Sequence, residues 1–178
     1  MVFEKTRRIL YERKGEFSMK GSTKVIEVLN EVLTSEITAI NQYFIHAKMC
    51  ENWGYQLLYE DTEKRAVEEM KHAEILIERI LYLEGIPIIT KLDKINVGSA
   101  VKEQVDNDYG LEKVAIQRLQ KAIKLCIDEA DGGSRELLEH ILLDEERHAN
   151  DLEAYLQQIK DMGIQNFLVT QVHKKEKS

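Results

Sequence analysis

The sequence feature that most constrains the fold is a short pattern, Glu-x-x-His, that occurs twice in segments with helical periodicity. It appears at 69–72 and again at 145–148, an interval of 145 − 69 = 76 in the numbering. Two more glutamates, Glu36 and Glu112, are separated by the same interval (112 − 36 = 76). The constant interval indicates that the chain contains two related halves, each of which supplies one Glu and one Glu-x-x-His.

Apolar residues recur at steps of three and four around each of these glutamates, which predicts amphipathic helices. Breakers are scarce, with one Pro and nine Gly in 178 residues, and charged residues make up 32% of the chain. The composition and the periodicity together predict an all-α protein built as a four-helix bundle. The predicted helices cover residues 22–54, 57–84, 99–130 and 134–162, with a short fifth C-terminal helix at 164–173.

The connection between the second and third helices indicates the topology. It has about 14 residues and can extend about 45 Å, which matches the length of about 42 Å of a 28-residue helix. A connection of this reach can cross the whole bundle and set the second and third helices parallel, while the other sequential neighbours are antiparallel. Each of the four glutamates falls near the middle of its helix, so side-by-side packing brings all four to one level.

Each of the four glutamates lies among the apolar residues on the inward face of its helix. Four buried carboxylates are unfavourable unless cations lie among them. Residues three apart project from nearly the same side of a helix, so Glu69 and His72 could hold one metal ion, and Glu145 and His148 another. Glu36 and Glu112 could each bind one metal or bridge both. Two divalent cations would balance the four negative charges. Oxygen and nitrogen ligands without thiolate favour iron or manganese over structural zinc, and the ligand set does not decide between them.

The ligand signature is typical of the ferritin-like di-iron carboxylate architecture. Beyond this, the segments MKGSTKVIEVLN, EITAINQYFIHAKM, NWG, EEMKHAEILIERILYLEG and DEERHANDLEAYLQQIKDMGIQNFL closely resemble bacterioferritin, from Met19 to about Val172. The resemblance implies a ferroxidase that oxidises Fe(II) with dioxygen or hydrogen peroxide and stores Fe(III) mineral inside a hollow shell of twenty-four subunits built from dimers. It also implies a ferredoxin-type reductant for iron release. The implied iron ligands, which are also the catalytic residues, are Glu36, Glu69, His72, Glu112, Glu145 and His148.

Met70 lies on the opposite side of its helix from His72 and is therefore expected outside the bundle. An exposed Met commonly contacts a partner helix, whereas the resemblance implies a haem b group shared between two subunits with Met70 as an axial ligand. Ile37, Asn41 and Phe44 share one face of the first helix. They could line the same haem pocket or form ordinary dimer packing.

Tyr43 lies two turns after Glu36 in the same stripe, so its hydroxyl could reach a carboxylate or a metal-bound oxygen and support catalysis. The alternative is a core tyrosine with one satisfied hydroxyl. Cys50 and Cys126, which are again related by the constant interval, are predicted to be small buried side chains and not ligands. The remaining histidines show no partner pattern and are predicted to be structural or exposed: His46, His140 and His173.

Two residues bear on the route of iron into storage. Some relatives carry a His near the position of Lys64 as part of an extra iron site on the inner wall of the shell. A charged lysine cannot bind iron, which argues against that accessory site in this chain. Glu68 could still face the cavity and guide iron.

Residues 1–18, MVFEKTRRILYERKGEFS, differ from the rest of the chain because they are basic and lack a sustained helical pattern. KGE can be encoded by AAAGGAGAA, a bacterial ribosome-binding sequence at a fitting distance before a start codon at Met19. We therefore predict two parts: an N-terminal extension at 1–18, either translated leader or a flexible tail, and a bundle domain at 19–178.

The overall charge and hydropathy exclude several classes of protein. A net charge of −7 disfavours nucleic acid as a partner. No apolar run approaches the roughly 20 residues that span a bilayer, and no secretory signal is recognisable, so we predict a cytoplasmic protein without a membrane partner. The rival function is a non-storage di-iron or di-manganese peroxidase or catalase of rubrerythrin type. The absence of a paired CxxC module argues against rubrerythrin itself, and the core acids disfavour a purely structural bundle.

Overall fold

A computed structural model describes residues 20–172, and within that range the chain forms five helices and no strand. The order and type of these elements confirm the predicted all-α bundle with a short fifth helix. The predicted N-terminal extension at 1–18 and His173 lie outside the described residues. The helices are α1 Thr23–Trp53, α2 Gln56–Tyr82, α3 Val101–Asp128, α4 Gly132–Met162 and α5 Ile164–Thr170.

The helix ends differ from the predictions by a few residues, for reasons that lie in their capping. Ser22 precedes α1 as predicted, but its hydroxyl donates to Glu129 Oε2 at 2.7 Å and does not cap the helix. The fourth helix begins two residues earlier than its predicted start at Ser134. Asp131 is the N-cap, and its carboxylate accepts the Ser134 N–H at 2.9 Å. The two glycines of the DGG segment therefore belong to the first turn of α4.

The helix directions follow from contacts at the two ends of the bundle. At one end, Gly21 N–H donates to the carbonyl of Leu83 at 3.0 Å, which places the end of α2 beside the start of α1. Lys24 at the start of α1 pairs with Glu129 at 2.7 Å, so α3 ends there as well. The second and third helices are therefore parallel to each other and antiparallel to α1, as the long connection predicted. Helix α5 covers the other end, where Phe167 is fully buried.

The crossover at 83–100 runs along α1 and is held by a row of polar side chains on that helix. The row is spaced by four or eight residues and consists of Asn30, Thr38, Gln42 and His46. These side chains are buried, and they accept the backbone N–H groups of residues 88, 93, 96 and 98 at 2.7–3.0 Å. An extended segment without a sheet partner thus satisfies its backbone donors on the helix it crosses.

His46 joins this row to the interior of the bundle. Its Nε2 accepts the Gly98 N–H at 3.0 Å, so the ring hydrogen is on Nδ1 and donates to Asp108 Oδ1 at 2.9 Å. At Gly98 a Cβ atom would lie 2.4 Å from the backbone nitrogen of Gln104, so only glycine fits where the crossover meets α3. Because its two ring nitrogens contact Gly98 and Asp108, His46 is a buried structural residue, in agreement with its sequence prediction.

Candidate metal centre

Six polar groups meet in the middle of the bundle, and all of them are buried. Each of the four glutamates is 1% exposed, and the two histidines are 4% and 0% exposed. Apolar clusters lie on both sides along the bundle axis, one containing Leu33 and Leu76 and the other containing Leu58 and Leu152. The six residues are those related by the constant sequence interval: Glu36, Glu69, His72, Glu112, Glu145 and His148.

The six groups form two clusters that share two members. Glu69 and Glu145 belong to both clusters; Glu36 and His72 complete the first, and Glu112 and His148 complete the second. Within each cluster the candidate ligand atoms all lie within 4.8 Å of one another. Spacing alone had given each Glu-x-x-His to a single metal and left the outer glutamates as terminal or bridging ligands. In the structure each Glu-x-x-His pair stays together in one cluster, and its glutamate also belongs to the other cluster.

Both histidines turn the same ring nitrogen towards the carboxylates. His72 Nδ1 lies 3.1 Å from Glu145 Oε1, 3.3 Å from Glu69 Oε2 and 3.4 Å from Glu36 Oε2. His148 Nδ1 lies 3.0 Å from Glu69 Oε1 and 3.2 Å from Glu145 Oε2. Each histidine therefore approaches the shared glutamate of its own helix and the shared glutamate of the facing helix. The ring centroids are 6.4 Å apart.

The hydrogen bonds within the site satisfy only part of its carboxylate oxygens. Five buried carboxylate oxygens in the described part of the chain accept no hydrogen bond: both of Glu36 and one each of Glu69, Glu112 and Glu145. Burial and the charge of Glu145 raise the pKa of Glu36 well above its usual value, and the same causes raise the pKa of Glu112. Unpartnered buried carboxylates are costly, so the donor set suits two divalent cations.

The neighbouring carboxylates also raise the pKa values of the two histidines. Burial disfavours the charged ring of His148, but hydrogen bonds to Glu145 and Glu69 outweigh it and raise the pKa of His148 to about 9. Burial likewise opposes charge on His72, while contacts with Glu145 and Glu36 raise the pKa of His72 far above its usual value. In the metal-free protein, bound protons on Glu36, Glu112 and the two histidines therefore reduce the negative charge of the site.

Tyr43 is the one aromatic hydroxyl that contacts this group of carboxylates in the described part of the chain. It is fully buried and donates a short hydrogen bond to Glu112 Oε1. Burial and the Glu112 carboxylate raise the pKa of Tyr43 well above its usual value, so the phenol keeps its proton. The buried Arg65 guanidinium lies over the Tyr43 ring at 5.5 Å from its centroid. The expected reach of the hydroxyl to a carboxylate is therefore observed.

A second layer of carboxylates surrounds the histidines, and sequence reasoning missed its role. His148 Nε2 lies 3.0 Å from Glu68 Oε2, and His72 Nε2 lies 3.3 Å from Asp144 Oδ2. Glu68 had been considered as an iron guide, whereas in the structure it contacts a histidine of the site. The signal was present in the sequence, because an acidic residue precedes the glutamate of each Glu-x-x-His and the two acids are separated by the same interval (144 − 68 = 76).

Met70 and its neighbours lie on the outside of the bundle. Met70 is 55% exposed and Phe44 is 54% exposed, which confirms the outward direction predicted for Met70. Asn41 is exposed and Ile37 is half-buried. The free thiols of Cys50 and Cys126 are buried, as predicted. His140 is exposed.

Comparison with known proteins agrees with the fold and the site. The ferritin-like domain family matches residues 26–162. A bacterioferritin from Mycolicibacterium paratuberculosis is 42% identical over 147 residues, which are 83% of this chain and 92% of the relative. A bacterioferritin from Streptomyces coelicolor is 42% identical over 152 residues, 85% and 91% of the two chains. A bacterial ferritin from Synechocystis is 41% identical over 155 residues, which are 86% of this chain and 99% of the relative.

The helical bundle, with its paired clusters of carboxylate and imidazole groups, defines a protein of the ferritin-like class. Within this class, the chain is more than 40% identical to bacterioferritins over more than 80% of its length. It therefore belongs to the bacterioferritin family. None of the described helices is both long enough and apolar enough to cross a membrane.

Proposed function

We propose that this protein is an iron-storage ferroxidase that takes Fe(II) as substrate at the paired clusters inside each subunit. The observation that carries the proposal is the set of five buried carboxylate oxygens without hydrogen-bond partners, facing two imidazole Nδ1 atoms. In this assignment Glu36 and His72 would hold one iron ion, Glu112 and His148 would hold the other, and Glu69 and Glu145 would be available to both. Iron is favoured over manganese by the family relationship.

The residues of the chain supply binding and charge balance. Four carboxylates neutralise two divalent cations, and the two neutral imidazoles add nitrogen ligands without further charge. Two iron ions held side by side can together reduce dioxygen or peroxide, with Fe(II) oxidised to Fe(III). Tyr43 holds Glu112 through its hydrogen bond and supports the catalytic residues by fixing the orientation of that ligand. The apolar clusters on either side keep bulk water from the site.

The test of this function is aerobic addition of Fe(II) followed by size-exclusion chromatography with absorbance detection. We expect a very large particle that retains Fe(III), in line with a homo-oligomer of twenty-four subunits. Glu36→Gln should abolish rapid oxidation, whereas Glu74→Gln, an exposed glutamate on α2, should behave like the wild type. A small oligomer that turns over peroxide without retaining iron would favour the rival peroxidase or catalase function.

We also propose that Met70 binds haem b at an interface between two subunits. The proposal is supported by the outward, exposed Met70 thioether, and by membership of the family. Met70→Leu should remove the haem absorption band and leave Fe(II) oxidation intact. Met162→Leu, another partly exposed methionine, is the matched control. An unchanged haem band in the Met70 variant would refute the assignment.

The remaining elements of the proposal concern the cellular setting. The shell would lie in the cytoplasm, and a ferredoxin-type reductant would return stored Fe(III) to Fe(II) for release. Incubating iron-loaded protein with a reduced ferredoxin and an Fe(II) chelator tests the second point. Chelated Fe(II) should appear only when the reduced ferredoxin is present.

A further inference from the structure

The outward-facing nitrogens of the two site histidines are held by carboxylates from the other half of the chain. His72, from the first hairpin, pairs through Nε2 with Asp144 of the second, and His148 pairs through Nε2 with Glu68 of the first. A histidine that binds a metal through Nδ1 must carry its hydrogen on Nε2. Carboxylate acceptors at that nitrogen fix this tautomer and the ring orientation.

One cationic side chain joins the two carboxylates. Arg147 Nη2 lies 3.0 Å from Asp144 Oδ1 and 3.5 Å from Glu68 Oε2. Asp144 thus uses one oxygen for Arg147 and the other for His72. Lys64 Nζ lies 3.5 Å from Glu68 Oε1, so the two outer carboxylates have two cationic neighbours. We refer to Glu68, Asp144 and Arg147 as the outer clasp.

We propose that Arg147 is a positioning residue that keeps both histidines aimed at the metal positions by holding Glu68 and Asp144 together. This inference rests on the proposed function, because it concerns the metals that the ferroxidase site would hold. Arg147 touches neither the metal positions nor the carboxylates that line them, and it acts only through the outer clasp.

The charge and the geometry of Arg147 suit this role better than those of an ordinary surface ion pair. Two outer carboxylates next to four inner ones would repel each other, and a guanidinium between them offsets that repulsion and presents several fixed donors. The corresponding position in the first hairpin is Lys71 (147 − 76 = 71), which is exposed. A single arginine therefore serves both histidines, although the two carboxylates of the clasp are duplicated.

The clasp also accounts for the charge of this side of the site. Four inner carboxylates balance two divalent cations, and the two outer carboxylates are balanced by Arg147 and Lys64. The four outer side chains therefore carry no net charge, and both acids contact a histidine of the site.

The experiment measures metal binding without turnover. Chelator-treated protein is titrated with Co(II), the visible absorption bands report ligand geometry, and competition with a chromophoric chelator gives the affinity. Arg147→Gln should weaken Co(II) binding about 10-fold and alter the absorption bands. This is the lower end of the loss that follows removal of a direct histidine partner, because Glu68 and Asp144 remain. Arg147→Lys should recover most of the affinity because the charge returns.

Arg135→Gln is the matched control, because Arg135 lies on the same helix and forms an exposed ion pair with Glu139. It should bind Co(II) like the wild type, and all variants should unfold at similar temperatures when metal-free. If the wild type binds two Co(II) per subunit and Arg147→Gln matches it in affinity and spectrum, the positioning role of Arg147 is refuted while the proposed function stands. If the wild type binds no Co(II), the proposed function fails first and the clasp fails with it.

Discussion

The unpartnered carboxyl of Glu36 gives a quantitative prediction for the metal-free protein. Because burial and Glu145 raise the pKa of Glu36, the folded protein keeps a proton there at pH values where the unfolded chain has lost it. The unfolded state then binds fewer protons than the folded state, so the free energy of unfolding falls as pH rises. Each such group contributes about 1.4 kcal/mol per pH unit within this range.

Above the usual pKa of a glutamate, the raised pKa of Glu36 should therefore make the metal-free protein progressively less stable as pH rises. The raised pKa of His148 acts in the same direction, but mainly above the usual histidine value and up to about 9. Glu69 has a lowered pKa, since its contacts with His148 and His72 outweigh burial, and its stabilising contribution is lost only in more acidic solution. Glu112, whose pKa is raised like that of Glu36, adds a second proton to the slope.

The assay is thermal unfolding of chelator-treated protein at fixed protein concentration, repeated across this pH range. Glu36→Gln cannot ionise, so above the usual pKa of a glutamate its melting temperature should fall less steeply with pH than that of the wild type. The difference should be up to about 3–6 °C per pH unit, taking about 1.4 kcal/mol per pH unit and about 2–4 °C per kcal/mol. Glu74→Gln should keep the full wild-type slope. Saturation with a divalent metal should flatten the slope of the wild type, because cations replace the protons. Identical slopes in the wild type and Glu36→Gln would refute the raised pKa and the reasoning built on it.

Three further experiments, which use five substitutions, test separate parts of the structure. Tyr43→Phe leaves both oxygens of Glu112 unpartnered, so metal-free stability should fall by about 1–2 kcal/mol while Co(II) stoichiometry stays at two; an unchanged melting temperature would mean that the hydrogen bond contributes nothing. Asp131→Ala removes the N-cap of α4 and should cost about 1–2 kcal/mol in urea unfolding, whereas Asp131→Asn should cost clearly less; equal losses would point to the ion pair of Asp131 instead. Gly98→Ala should destabilise by about 1–3 kcal/mol through its clash with α3, whereas Gly110→Ala, whose Cβ meets nothing within 4 Å, should stabilise by about 0.5–1 kcal/mol; similar effects of both would refute the close approach.

Sequence periodicity identified the six groups of the site because a helix places every third or fourth residue on one face. It could not identify the two carboxylates that belong to both clusters, since a period defines the face of one helix and not which atoms of two facing helices meet. Glu69 and Glu145 are shared because α2 and α4 each direct a glutamate between both histidines. The acids at 68 and 144 obey the same interval as the ligands, yet their contacts cross between the hairpins and so have no local signature.

The crossover shows a different limit of sequence reasoning. Its length predicted the topology, but its residues carry no regular pattern that would indicate how it is held. The visible signal lies on α1, where polar residues recur every four or eight positions from Asn30 to His46. A buried polar row on an otherwise apolar helix indicates backbone partners nearby. The partner segment could not be read from the sequence, because backbone N–H groups are common to almost all residues.

The internal repeat accounts for the six groups of the candidate metal centre and for the outer carboxylates, but not for Tyr43 and His46, which occur in the first half only. The residue that corresponds to Tyr43 is Leu119, and the residue that corresponds to His46 is Ala122; both are buried in the apolar core. As a result Glu112 accepts a hydrogen bond from Tyr43, whereas Glu36 accepts none. The two clusters have the same residue types in unequal surroundings. Glu36 is therefore the carboxyl that would gain most from a cation, which is why its substitution, and not that of Glu112, gives the sharper test of the proposed metal site.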